Sequence, residues 1–151
     1  MGRLTSDAFR VAVQSAIILG LAYALGAYVT TGIIGILLVF FTIAFFGLAW
    51  SGISLAIGMR TRSSETVFAI GGFITFPLLF LSSALLPISF LPLWVQDVSM
   101  FNPISYAVNA IRALMINGYD WGTILPAWGV IGLVAVVTLS ATLYQFRKIV
   151  S

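Results

Sequence analysis

Apolar residues fill this chain in four long runs with short polar punctuation between them. The first run, residues 11–29, contains no charged residue. As a helix at 1.5 Å per residue it spans roughly 28 Å, close to the hydrocarbon thickness of a bilayer. Thr30, Thr31 and Gly32 make a tight turn into a second run, 33–57. That run is long enough to tilt or to project beyond the membrane. A charged interruption at 60–65 precedes the third run, 67–86, and the fourth covers 124–146 before Arg147–Lys148. Each run predicts a membrane-spanning helix.

The stretch 87–123 has a different character. Pro87, Pro92 and Pro103 punctuate it, and Asp97, Arg112 and Asp120 bring isolated charges, yet it stays rich in Phe, Leu, Ile and Trp. Residues 93–100 and 104–115 each have room for two or three helical turns, separated by Asn102–Pro103. In the second piece Ser105, Asn109 and Arg112 fall on one stripe, with Ile104, Val108, Ile111 and Met115 on the other side. Two short amphipathic helices at the outer interface, or dipping into it, fit this pattern. The third run opens with Ser63-Ser64-Glu65-Thr66, a serine cap with an acid in the first turn. Arg60 and Arg62 lie just before it, within reach of Glu65 or of anionic headgroups. Further along, Gly71, Gly72 and Pro77 weaken the helix and make it a candidate for bending.

Composition agrees. Hydrophobic residues make up 61% of the chain and charged residues 7%. A soluble domain carries about 25% charged residues. The expected fold class is therefore an all-α membrane protein: about four transmembrane helices plus two short outer interfacial or re-entrant helices, in a single transmembrane domain over 1–151. The first run is too long for a signal-peptide core and is read as a span.

Four spans put Arg3, Arg10, Arg60, Arg62, Arg147 and Lys148 on one side and leave only Arg112 on the other. The positive-inside rule then makes both termini and the 60–65 loop cytoplasmic, in a cell membrane. Tyr28, Trp94, Tyr119, Trp121 and Trp128 gather where this layout puts the outer interface, as aromatic belts do. The basic residues form no stripe, which excludes a nucleic-acid footprint. The chain has no Cys and no His. That removes thiol chemistry, zinc sites and imidazole catalysis. No GxxxxGK[ST] loop is present, and the span interiors hold no ionisable residue for a proton relay. No catalytic residue, metal or cofactor is expected, and the chain reads as a non-enzyme.

Residues 75–112 resemble the signature of the type-2 family of ABC transporter permeases, the exporters of polysaccharides, lipid-linked molecules and drugs of the daunorubicin-resistance kind. The matching positions are Thr75, Leu78, Leu81, Ser82 and Ala84, then Leu91–Pro92, Pro103–Ile104, Tyr106 and Arg112. The phrases FLSSALLPISFLPLW and FNPISYAVNAIRAL read like the family's own. The resemblance implies an ATP-driven exporter in which this chain lines part of the path. It also implies a separate ATP-binding cassette ATPase, a second permease copy and surrounding lipid as partners, with no nucleic acid. Gly71, Gly72, Pro77, Pro92, Pro103, Tyr106 and Arg112 are the conformational residues it singles out. Such permeases usually have six spans with short re-entrant helices between the last two, so the four runs correspond to the last four. The expectation is a fragment, or a chain completed by another polypeptide. Two rival readings are a small four-helix multidrug antiporter and a non-transporting anchor or assembly subunit. The antiporter would need a membrane-embedded acid for proton coupling.

Overall fold

The structure is a computed structural model. It describes the backbone of residues 2–26 and 28–150, and the side chains of all these except 2–4, 7, 8, 149 and 150. Arg3, counted above among the basic residues of one side, therefore has its side chain outside the described residues, and Ala27 of the first run lies outside them altogether.

The fold is all-α. Helix α1 covers Gly2–Ala24, α2 Gly32–Thr61, α3 Ser64–Phe80, α4 Leu93–Ser99, α5 Pro103–Arg112 and α6 Trp121–Val150. A 3₁₀ turn, Ile88–Phe90, precedes α4, and a π-helical turn, Ala113–Asn117, extends α5. Helices α2 and α6 are long and apolar enough to cross a membrane, while Phe9–Ala24 and Ser64–Phe80 are shorter apolar helices.

The helices extend past several run boundaries, α2 to Thr61 and α6 from Trp121 to Val150, so little of the expected 60–65 loop is left, and in two places a helix stops before its apolar run does. The first run extends to 29, but its helix stops at Ala24, where Gly26 turns the backbone to φ +91°. The third run extends to 86, but α3 stops at Phe80. There Ser82 Oγ donates to the Leu79 carbonyl at 2.7 Å, and Ala84 N–H donates back to Ser82 Oγ at 3.2 Å. Serine side chains that compete for backbone groups end a helix even in apolar sequence. The expected cap is present: Ser63 Oγ accepts from Thr66 N–H, with Glu65 in the first turn. Among the described residues neither Arg60 nor Arg62 pairs with Glu65.

The parallel pair α2–α6 is the frame on which everything else packs. Its contact face is made of small residues. Ala49, Gly52, Ala127 and Ala135 are buried, and the hydrogen of Gly52 faces Thr138 so closely that a Cβ there would lie 2.6 Å from Thr138 Oγ1. Close approach exposes helix carbonyls to side chains across the seam. Thr138 Oγ1 donates to the Ala49 carbonyl at 3.0 Å, Thr142 Oγ1 to that of Gly52 at 3.1 Å, and Trp128 Nε1 to Thr42 Oγ1 at 3.0 Å. Small residues plus interhelical hydrogen bonds are how apolar helices associate when lipid removes the hydrophobic incentive. Trp128 packs in the α2–α6 seam, with Phe41 edge-on at 5.1 Å. Trp50 stacks on Phe46 at 5.4 Å.

Helix α5 lies along this pair. Ala107 joins Ala49, Ile131 and Ala135 in one buried cluster, and Ala113 and Leu114 join Val39 and Ile124 in another. The π turn leaves the Leu114 and Met115 carbonyls without helical partners. The α1–α2 turn supplies them: Thr31 Oγ1 donates to Leu114 at 2.7 Å, and Thr30 N–H to Met115 at 3.1 Å. Tyr119 closes the knot by donating to the Thr31 carbonyl at 2.9 Å. Helix α3, by contrast, has no buried residue along its length. Phe68, Phe73, Phe76 and Phe80 all stand exposed. Near its start Val67 faces Gly58 of α2, and its polar attachments are made from Leu78 onward.

Candidate functional site

The polar stripe foreseen on the second short helix faces inward. From Asn109, the Oδ1 accepts from Ser83 Oγ at 2.9 Å, and Arg112 Nη2 donates to the Ser83 carbonyl at 2.8 Å. Just ahead of the helix, Asn102 Nδ2 donates to the Leu78 carbonyl in the last turn of α3. Three side chains of one element thus hold the frayed end of another. They do so where α3 has stopped making its own hydrogen bonds: Asn102 and Arg112 donate to carbonyls left unpaired there, and Asn109 accepts from the Ser83 hydroxyl.

Local sequence explains why α5 presents these groups. Asn102 caps the helix, its Oδ1 accepting from Ile104 N–H at 3.0 Å, and Pro103 occupies the first helical position. Asparagine before proline is a strong helix start, because proline's missing N–H is one the helix would leave unpaired anyway. With Oδ1 committed to the cap, Nδ2 must point the other way, into the Leu78 carbonyl. Asn102 is 2% exposed and Ser83 1%. Water does not compete at either residue, so both bonds count for more than they would on a surface. Arg112, half-buried, makes a charge-assisted bond to a neutral carbonyl. Ser105 is the third member of the stripe. Its Oγ is buried without a partner, which costs about 1–3 kcal/mol.

Of the seven residues singled out from the sequence, the structure gathers some and separates others. Arg112 sits in the junction itself, and Pro103 starts the helix that forms it. Tyr106 is half-buried on the same helix, without a bond to α3. Pro92 precedes α4 and accepts from Val95 N–H at 2.9 Å. Pro77 lies within α3, and the Leu81 N–H beyond the helix returns to its carbonyl at 2.9 Å. Gly71 and Gly72 are a turn or more earlier in α3, away from the junction. A Cβ at Gly71 would meet nothing within 4 Å, and one at Gly72 only Phe76 of the same helix.

Ser83 and Asn102 were not among the residues expected to act here, and Asn109 was expected only as part of the polar stripe. For Asn102 a usable signal existed in the Asn–Pro pair. For Ser83 none did, because its partner lies 26 residues away. The site holds no group of three or more potential metal ligands among the described residues. It contains no carboxylate and no nucleophile–base pair. What it can do is hold the end of α3 to α5 by a few polar contacts.

Residues 1–116 match the family described as ABC-2 type transporter. The daunorubicin resistance ABC transporter permease protein DrrB1 of Streptomyces coeruleorubidus is 31% identical over 151 residues, 97% of this chain and 53% of that protein. The transport permease ycf38 of Porphyra purpurea is 34% identical over 91 residues, 58% of this chain and 31% of that protein. The ycf38 protein of Pyropia yezoensis is 32% identical over a stretch of the same length. The chain thus spans about half the length of the DrrB1 relative, and its match to ycf38 covers less. No solved structure matches it.

Proposed function

Because this chain belongs to the ABC-2 type transporter permease family, we propose that it forms part of the translocation path of an ATP-driven exporter. In this reading α1, α2, α3 and α6 all cross the bilayer. Helices α4 and α5 re-enter from the outer side, and both termini are cytoplasmic. A separate ATPase acts on the cytoplasmic helix ends, and a second permease copy completes the path.

The depth reached by α5 carries the reading. Ala107 shares a buried cluster with Ile131, ten residues into α6 and so roughly 15 Å from its start. A connector resting on the surface would not reach that level, whereas a re-entrant helix does. Non-helical backbone at membrane depth is tolerated only when buried in protein. The Asn102, Asn109 and Arg112 contacts to α3 meet that condition. Helix α3 is then an arm held at its outer end and, near its start, against α2, with Gly71, Gly72 and Pro77 as the places where it bends. Force from ATP binding favours one arrangement of such an element over another.

Two expected outcomes test this. For topology, cysteines at Ser64 and Ser89, both exposed, are treated in intact cells with a membrane-impermeant thiol reagent. Ser89→Cys is labelled and Ser64→Cys is not. Labelling of Ser64→Cys alone reverses the orientation and sinks the cytoplasmic placement.

For function, Arg112→Ala in a complete transporter leaves membrane abundance unchanged. It lowers ATP-dependent flux about tenfold, since a hydrogen bond to a charged group is worth about 1.5–3 kcal/mol. Arg112→Lys restores part of the flux, because a single ammonium still reaches one carbonyl but lacks the planar fork. Wild-type flux from Arg112→Ala would show that the junction has no part in transport.

A further inference from the structure

At the end of the molecule opposite the junction, α2 and α6 finish side by side. Arg60, Ala141, Tyr144, Gln145 and Lys148 line a cleft of about 360 Å³ between them. Two cations from different helices face this space, and no described carboxylate pairs with either. Gln145 Oε1 is buried there without a hydrogen-bond partner. A cation in the last turn of a helix is favourable by itself, because it offsets the negative end of the dipole. That accounts for one basic residue on each helix. It does not account for both opening onto one cleft beside a buried acceptor that lacks a donor.

We propose that this cleft binds the headgroup of an anionic glycerophospholipid, with the phosphodiester between Arg60 and Lys148. The inference takes from the proposed function only that these helix ends lie at a bilayer surface. Its chemistry narrows the headgroup. Two unpaired cations call for a net negative ligand, which disfavours a zwitterionic choline or ethanolamine. Gln145 Oε1 needs a hydrogen-bond donor close to the phosphate. A glycerol hydroxyl supplies that donor without adding positive charge, so phosphatidylglycerol meets both requirements. The aliphatic stems of Arg60 and Lys148 and the Tyr144 ring give the acyl-chain end an apolar wall. Basic pockets between helices on the cytoplasmic side of membrane proteins take anionic headgroups in this way.

Lipid binding to the full chain in detergent, followed by native mass spectrometry, tests the assignment independently of transport. Phosphatidylglycerol is expected to bind about tenfold more tightly than phosphatidylcholine, given the attraction each basic residue contributes. Arg60→Gln combined with Lys148→Gln removes that preference. Arg10→Gln combined with Arg62→Gln, an equal loss of charge outside the cleft, leaves it intact. An equal loss in both pairs would mean diffuse surface attraction and overturn the site.

A second comparison reads the headgroup and does not depend on how much protein folds. Phosphatidylmethanol has the same charge as phosphatidylglycerol and no donor, so the wild-type chain prefers phosphatidylglycerol and Gln145→Leu binds the two alike. No preference in the wild type would overturn the role of Gln145. Displacement of the lipid by millimolar inorganic phosphate would assign the cleft to the free anion and overturn the lipid assignment.

Discussion

Replacing Gly52 with valine is expected to drive α2 and α6 apart and to cost about 1–3 kcal/mol of stability. The geometry leaves no room for a side chain. A Cβ at this position lies 2.6 Å from Thr138 Oγ1, 2.8 Å from its Cβ and 3.4 Å from its backbone carbonyl carbon. Thr138 cannot simply rotate away, because its hydroxyl is shared between the Ala49 carbonyl at 3.0 Å and that of Ala135 at 3.2 Å. Overpacking costs about 1–3 kcal/mol, and each interhelical hydrogen bond lost with it adds about 0.6 kcal/mol.

The opposing term is smaller. Glycine is a poor helix residue, and losing it returns under about 1 kcal/mol. Reversible unfolding in mixed detergent micelles measures the difference. A double-mutant cycle with Thr138→Gly should show coupling of about 1–2 kcal/mol, since that change removes the clashing atoms. If Gly52→Val unfolds like the wild type, or the two changes simply add, the seam is not the frame of the fold.

Substituting Asn102 by leucine is the second large effect, about 2–4 kcal/mol against the docking of α5. One side chain does two things there: Oδ1 caps α5 through Ile104 N–H, and Nδ2 donates to the Leu78 carbonyl. Leucine has neither group. Losing the cap costs about 1 kcal/mol. Leaving a buried carbonyl unsatisfied adds about 1–3 kcal/mol.

Aspartate separates the two roles. It keeps the cap acceptor but turns an oxygen toward the Leu78 carbonyl at a site only 2% exposed. Asn102→Asp should therefore be at least as damaging as leucine, although aspartate is as good a cap as asparagine. Hydrogen exchange reads this directly. Amides of 104–112 should lose protection by roughly thirty-fold for 2 kcal/mol, while those of the α2–α6 seam change little. An Asn102→Asp chain with wild-type protection would show that only the cap matters and that the bridge to α3 contributes nothing.

Both predictions concern residues whose importance was unequally visible beforehand. Asn102–Pro103 announces a helix start, because capping and a fixed φ act within two or three residues of the chain. The identity of its second partner depends on which backbone carbonyl another helix leaves free, and Leu78 is 24 residues away. Gly52 carries even less local signal. A glycine inside an apolar helix reads as a weakness or as a close approach, and only the position of Thr138 decides between them. The same holds for Trp128. By type and position it reads as an interfacial anchor, but its N–H finds Thr42 across the seam.

By itself the sequence determined what depends on neighbours along the chain. Four apolar runs with few charges oblige the chain to be helical and lipid-compatible, because backbone groups in an apolar setting must be satisfied within the segment. The two short helices, the Ser63 cap and the tight turn at 30–32 follow from equally local rules. The signature residues 75–112 carried the family, since a spaced pattern of residue types survives without coordinates.

Tertiary structure alone decided what depends on pairs distant in sequence. It stopped α1 at Ala24 and α3 at Phe80 inside runs that hydropathy would continue, because turn geometry and serine hydroxyls outweigh apolar character there. It turned Asn109 and Arg112 of the stripe toward α3, because the Ser83 hydroxyl and carbonyl there offer partners. And it brought Arg60 and Lys148, 88 positions apart in the chain, to one cleft, because parallel packing of α2 and α6 sets their C-terminal ends side by side.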